Sequence, residues 1–269
     1  MKINQVYNEN CLDTMRNMPE GFIDLTVTSP PYDNLRDYKG YSFPFEEIAK
    51  ELYRVTKPGG VVVWVVGDQT VNGSESGTSF RQALYFMECG FLLGDTMIYA
   101  QPGTGAKGSI YFYWQGFEYM FILTKGKIKT SNRIRDKKNL KYGQSKERGS
   151  SPKMDRLKTR QDRKGIKPAP FSYRTNVWTI NNGHGHSDYT EHPAPFPEKL
   201  AKDHIISWSN EGDLVYDPFM GSGTTAKMAI LKKRNFIGSE VAKEYIPIIQ
   251  RRVRDAREAM KQGNLFDQL

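Results

Sequence analysis

Ser29-Pro30-Pro31-Tyr32 places a hydroxyl, a rigid double-proline turn and an aromatic ring within four residues. The run directly follows residues 22–27, Phe-Ile-Asp-Leu-Thr-Val, whose apolar and β-branched content predicts a buried strand. Proline lacks a ladder N–H and fixes φ, so the strand must stop there. The stop leaves the Ser29 oxygen and the Pro30 carbonyl as hydrogen-bond acceptors at the end of a strand, followed by the ring of Tyr32.

A second constellation stands far downstream. Asp217-Pro218-Phe219-Met220-Gly221-Ser222-Gly223-Thr224-Thr225 predicts a strand end, a glycine-rich turn and the start of a helix. Glycines at such a turn let the backbone approach a ligand at the helix N-terminus. The spacing lacks the third glycine of the dinucleotide fingerprint and the Gly-Lys-Ser/Thr of a P-loop. Phe236-Ile237-Gly238-Ser239-Glu240 then predicts a strand that ends in a carboxylate, placed as a ribose-hydroxyl acceptor would be. No lysine stands in the turn to meet phosphates. These features favour a nucleoside ligand without phosphates, of which S-adenosylmethionine is the common one.

Strands must hold these turns. Residues 61–66 form an unbroken β-branched run (Trp64 excepted), the mark of a strand buried on both faces. Further strands are predicted at 3–7, 96–100, 119–124, 176–180, 214–216 and 235–239. Helices are predicted at 11–18, 45–55, 79–89, 197–209, 223–231 and 242–261, with turns at Lys57-Pro58-Gly59-Gly60 and a glycine-rich loop at 101–108. Strands alternating with helices predict an α/β fold with a doubly wound, mostly parallel sheet.

The chain has 269 residues and a net charge of +9. Residues 125–174 hold 18 Lys and Arg against 4 Asp and Glu, and the rest of the chain is slightly acidic. Such asymmetry points to a polyanionic partner. The segment 125–175 is poor in aliphatic residues, so we expect it to be partly disordered or ordered only by its ligand. No apolar run approaches the ~20 residues of a membrane span, and residues 1–5 lack the apolar region of a signal peptide. The two cysteines, Cys11 and Cys89, fit neither a disulfide framework nor a zinc spacing. A reduced, cytoplasmic protein is the expectation.

Taken together, these motifs resemble the amino-group DNA methyltransferases, the N4-cytosine/N6-adenine type, over almost the whole chain. Residues 217–225 are similar to the family's cofactor motif and Glu240 to its ribose-binding acid. His192-Pro193-Ala194-Pro195-Phe196-Pro197-Glu198-Lys199-Leu200 resembles the segment that precedes the cofactor motif and contacts the methionine end of the cofactor. With the proline turn first, the basic segment next and the cofactor turn last, the order resembles the β group of the family. The resemblance implies a circularly permuted, Rossmann-like S-adenosylmethionine-dependent methyltransferase fold. In it, 1–124 is the catalytic half, 125–175 a basic target-recognition insert, and 176–269 the cofactor half with a C-terminal helix.

The resemblance gives the proline turn a chemistry. An exocyclic base amine shares its lone pair with the ring and is a poor nucleophile. Acceptors for its N–H groups, here Ser29 and Pro30 with Pro31 stiffening the turn, draw the nitrogen toward sp³ and aim the lone pair. Tyr32 would stack on the extruded base, because the amine is out of reach inside a duplex. In the family, Ser-Pro-Pro-Tyr goes mostly with cytosine N4 and Asp-Pro-Pro-Tyr mostly with adenine N6. The expected function is therefore site-specific methylation of cytosine N4 in double-stranded DNA held by residues 125–175. Adenine N6 is the first alternative, and a catalytically silent DNA-binding regulator the second. The cofactor contacts implied are Asp217, Phe219, Gly221, Ser222, Gly223, Thr224, Thr225, Glu240, Pro195 and Phe196. His184 and His186 read as a polar loop, and no metal is expected. Residues 262–266, Gln-Gly-Asn-Leu-Phe, resemble a loose form of the peptide that docks on bacterial sliding clamps, against the simpler reading of a helix stop at Gly263. A cognate restriction endonuclease is a further partner of this class of enzyme.

Overall fold

The computed structural model describes residues 1–31, 43–102, 111–140, 142, 169–181 and 197–266. In chain order the elements are β1 (Gln5–Tyr7), α1 (Cys11–Arg16), β2 (Ile23–Thr28), α2 (Phe45–Val55), β3 (Thr56–Val66), β4 (Thr70–Val71), β5 (Ser74–Glu75), α3 (Thr78–Glu88), β6 (Leu92–Ala100) and β7 (Phe117–Thr124). They continue with β8 (Lys137–Lys138), β9 (Phe171–Ser172), β10 (Val177–Thr179), α4 (Glu198–Trp208), β11 (Leu214–Asp217), α5 (Thr224–Leu231), β12 (Asn235–Ser239) and α6 (Ile246–Phe266).

Among the described residues the main sheet has eight strands in the order β1-β12-β11-β2-β3-β7-β6-β10. All neighbours pair parallel except β7, which runs antiparallel to both β3 and β6. Its centre is dry on both faces, as the run 61–66 predicts. Val61, Val63 and Val65 enter one core with α4, α5 and α6, whereas Val62, Trp64 and Val66 enter the other with α1, α2 and α3. Alternate side chains of a strand point to opposite faces, so only a strand covered twice tolerates such a run. The doubly wound, mostly parallel α/β architecture is the one expected.

Two local expectations are corrected. Residues 57–60 do not form a turn but the first part of β3. Gly59 takes φ 79° there, and its N–H donates to the Lys125 carbonyl at 2.6 Å. A left-handed glycine inside the strand lets it bend against residues 125–129 instead of reversing. The last helix runs through Gly263 to Phe266 rather than stopping at that glycine.

Met1–Asn132 with Asn176–Leu269 form one compact unit and Arg133–Thr175 another. In the second unit, the described flanks of the basic segment pair with each other, and residues 143–168 lie outside the described residues. Lys137 and Lys138 pair antiparallel with Ser172 and Phe171. The guanidinium carbons of Arg133 and Arg135 lie 4.1 and 4.4 Å from the Tyr173 ring centroid. Arg174 Nε donates to Asp136 Oδ1 at 3.1 Å. The cation–π pairs and this ion pair hold the ribbon without a large apolar core.

Candidate functional site

β12, β11, β2 and β3 are parallel neighbours, so their carboxyl ends share one edge of the sheet. From the β2/β11 junction the chain winds toward β3 on one side and toward β12 on the other. Ligands of open α/β sheets bind in the crevice at such a switch point. The structure brings three predicted segments to it. Ser29 and Pro30 follow β2, the turn of residues 217–223 ends β11, and Glu240 follows β12.

The first two are tied together directly. Thr28 Oγ1, one residue before Ser29, donates to Asp217 Oδ1 at 2.7 Å. The same oxygen accepts from Phe219 N–H at 3.0 Å, and Thr225 Oγ1 donates to the Val27 carbonyl at 3.3 Å. Thr28, Asp217 and Thr225 are all buried. Burial pushes the Asp217 carboxyl above its usual range, and the bonds from Thr28, Thr225 and Phe219 pull against that shift. Asp217 is thus the clasp between the turn that presents Ser29 and the glycine turn.

The glycine turn closes on the acid. Gly221 takes φ 52° and Gly223 φ 84°. Gly221 N–H donates to Glu240 Oε2 at 2.7 Å, and Ala242 N–H to Oε1 at 2.8 Å. Each carboxylate oxygen keeps lone pairs for a further donor. Burial raises the pKa of Glu240, and the two backbone N–H groups oppose the rise. At Gly238, just before the acid, a Cβ would stand 1.9 Å from Met220 Cε, so the strand end and the turn are in close contact. A left-handed glycine cradle with a buried acceptor carboxylate beside it fits the nucleoside part of S-adenosylmethionine.

Sequence reasoning missed what supports the turn from beneath. The Arg252 guanidinium on α6 is buried. Its Nη1 donates to Ser222 O at 3.0 Å, Ser222 Oγ at 2.8 Å and Thr224 Oγ1 at 3.2 Å, and its Nη2 donates to Glu198 Oε1 at 2.8 Å. Lys227 Nζ reaches the same Glu198 oxygen at 2.7 Å. Burial opposes ionisation of Glu198, but the bonds from Lys227 and then Arg252 win and hold its carboxyl below the usual range. Ser222 and Thr224, expected as cofactor contacts, therefore turn their hydroxyls toward Arg252. The one signal in the sequence was an arginine on the buried stripe of α6, between Ile249 and Val253. Phe219 was expected; its ring packs edge-on to Trp64 and to Phe43, with centroids 6.2 and 5.7 Å apart.

Tyr32, Pro195, Phe196, His184, His186 and His192 lie outside the described residues. Among the described residues no group of His, Cys, Asp or Glu could hold a metal ion, and no helix is long and apolar enough to cross a membrane. Burial pushes the Cys11 thiol up to about 12, which leaves it inert as a nucleophile.

A family model for DNA methylases of the N6/N4 type matches residues 23–251. The chain is 57% identical over 249 residues to the orphan methyltransferase M.BamHII of Bacillus amyloliquefaciens, the match covering 89% of this chain and 91% of that one. Among solved structures, the cytosine-N4-specific PvuII DNA methyltransferase superposes with a TM-score of 0.70 at 20% identity, covering 94% of this chain and 91% of that one. A Thermus thermophilus DNA modification methylase in complex with S-adenosyl-L-methionine superposes with a TM-score of 0.64 at 22% identity, covering 94% and 93%. The architecture is the Rossmann-like fold of S-adenosylmethionine-dependent DNA methyltransferases. The chain belongs to the N6/N4 DNA methylase family, and its methyl donor is S-adenosylmethionine.

Proposed function

We propose that this enzyme methylates an exocyclic base amine in DNA, cytosine N4 in preference to adenine N6, on a nucleotide turned out of the helix. One observation carries the reading. The acceptor turn at Ser29 and Pro30 and the glycine cradle at Gly221 and Glu240 occupy adjacent strand ends, joined by the Thr28–Asp217 hydrogen bond. When bound, S-adenosylmethionine supplies a methyl group activated by a sulfonium charge. The chain's own part is alignment. Ser29 and the Pro30 carbonyl accept the amine's N–H groups, Pro31 stiffens the turn, and Tyr32 stacks on the base. Glu240 accepts the ribose hydroxyls with the lone pairs that Gly221 and Ala242 leave free, while Phe219, Pro195 and Phe196 border the cofactor. Holding reactants in line contributes several kcal/mol to lowering such a barrier. The choice of cytosine rests on Ser29, where the adenine enzymes mostly carry aspartate. The basic residues of 125–175 hold the phosphate backbone of double-stranded DNA.

The test is tritiated-methyl transfer to genomic DNA followed by chromatography of the nucleosides. Label in N4-methylcytosine is the expected result. Label in N6-methyladenine would overturn the base assignment, and no label on any DNA would overturn the activity. Ser29→Ala should lower kcat by roughly 10–100-fold, the loss of one hydrogen bond to the reacting group, with cofactor affinity unchanged.

Acid should weaken cofactor binding through Glu240. Its pKa is raised in the folded protein, so the protonated form persists to higher pH than for an ordinary glutamate. Protonation removes an acceptor, so affinity should start to fall at a milder acidity than an exposed glutamate would require. Calorimetric titrations from neutral to mildly acid pH should show the decline, and Glu240→Gln should flatten it.

A further inference from the structure

Four consecutive aromatic side chains stand in solvent between β6 and β7. Tyr111, Phe112, Tyr113 and Trp114 are 82%, 70%, 100% and 66% exposed. Soluble proteins seldom leave so many adjacent rings uncovered without a use for them. The rings do not build the core: Trp64 and Trp178 are buried and Trp208 is partly buried, whereas Trp114 is not.

Their place in the fold is defined. β6 ends at Ala100 opposite Phe117, where β7 begins, and Tyr119 of β7 pairs with Val66 at the carboxyl end of β3. The connection therefore rises from the same sheet edge as Ser29. Its stem is closed by Gln101 N–H donating to the Gly116 carbonyl at 2.8 Å and by Gln101 Nε2 donating to Glu118 Oε1 at 2.7 Å. Gln115 Nε2 ties it to Glu75 Oε1 at 3.2 Å. Below the stem the aromatic character continues. Phe117 meets Tyr119 edge-on at 5.3 Å, and Tyr119 stacks on Phe121 at 5.4 Å with the planes 8° apart.

We propose that residues 111–114 form a stacking platform for the bases that are left unpaired in DNA when the target nucleotide leaves the helix. This rests on the DNA-methylating reading of the neighbouring turn and deepens it. Withdrawing one nucleotide exposes the faces of its neighbours and strands its partner. Aromatic side chains cover such faces with little regard to sequence, because every base has a π-face. Residues 111–114 carry rings and no charge, and their place on the reactive edge of a chain with net charge +9 suits an opened polyanion better than a second copy of the same cationic chain.

The test compares the full chain with its Y111S/F112S/Y113S/W114S variant. Binding is measured by anisotropy to a short paired duplex and to the same duplex carrying an internal unpaired bubble. The wild-type protein should prefer the bubble by roughly tenfold or more, a difference of about 1.4 kcal/mol. The variant should lose the preference, keep its affinity for the paired duplex and melt as the wild type does. Trp114 fluorescence should be quenched by bubble DNA, and Trp114→Phe should retain the preference. An equal preference in wild type and variant would overturn the platform, as would concentration-dependent self-association that only the wild type shows. Bubble binding needs no methyl transfer, so this outcome is distinct from failure of the genomic labelling assay.

Discussion

Arg252→Ala will unfold at a markedly lower temperature than the wild-type protein. The guanidinium makes three hydrogen bonds to the turn at Ser222 and Thr224 and one to Glu198. Removing one partner from a buried ion pair costs about 3–5 kcal/mol. The lower end applies, since Glu198 is 31% exposed and keeps Lys227. For a protein of this size that is a fall in melting temperature on the order of 10 °C. Cofactor affinity should fall as well, because the turn loses the donors beneath it. Arg252→Lys restores the charge but not the planar fork, and should recover only part of either loss. Melting curves with and without S-adenosylmethionine check both effects. A variant that melts with the wild type and binds cofactor normally would show that the turn stands without its arginine.

Gly221→Val should abolish measurable cofactor binding, a loss of at least about 100-fold, or roughly 3 kcal/mol. The glycine sits at φ 52°, where a β-branched side chain is a steric outlier. Its N–H also makes the bond to Glu240 Oε2. Valine must either hold the strained conformation, at about 1–3 kcal/mol, or turn the peptide and break the bond. The first strains the cradle, and the second displaces the acid from it. Calorimetry should record no heat of binding. The contrast with Ser29→Ala separates the two roles. If both variants lost cofactor to the same degree, the division between a transfer turn and a binding turn would be wrong.

The residues with strong local signals were legible in the sequence. The prolines after β2 and the valines of β3 dictate their structure through missing N–H groups and double burial, and α2 and β12 fall where their periodicity puts them. The glycine turn and Glu240 were legible because their chemistry is concentrated in a few adjacent positions. The clasp between Thr28 and Asp217 was not, because it depends on which strands become neighbours. The Arg252 network was hidden for the same reason, as it gathers Glu198 from the start of α4 and Ser222, Thr224 and Lys227 from the start of α5. The bend of β3 at Gly59 was misread because the same dipeptide serves turns and bulges alike, and only the partner at Lys125 decides.

The pairing of β2 with β11 sets a timetable for synthesis. Thr28 and Asp217 are separated by 189 positions. While the ribosome makes the intervening chain, β3 can cover one flank of β2, but the other flank has no partner. At about 5–20 residues per second that interval is roughly 10–40 s. A buried strand with one bare edge is a template for association with other chains. Nascent or truncated chains that end before Leu214 should therefore depend on chaperones far more than the finished enzyme does.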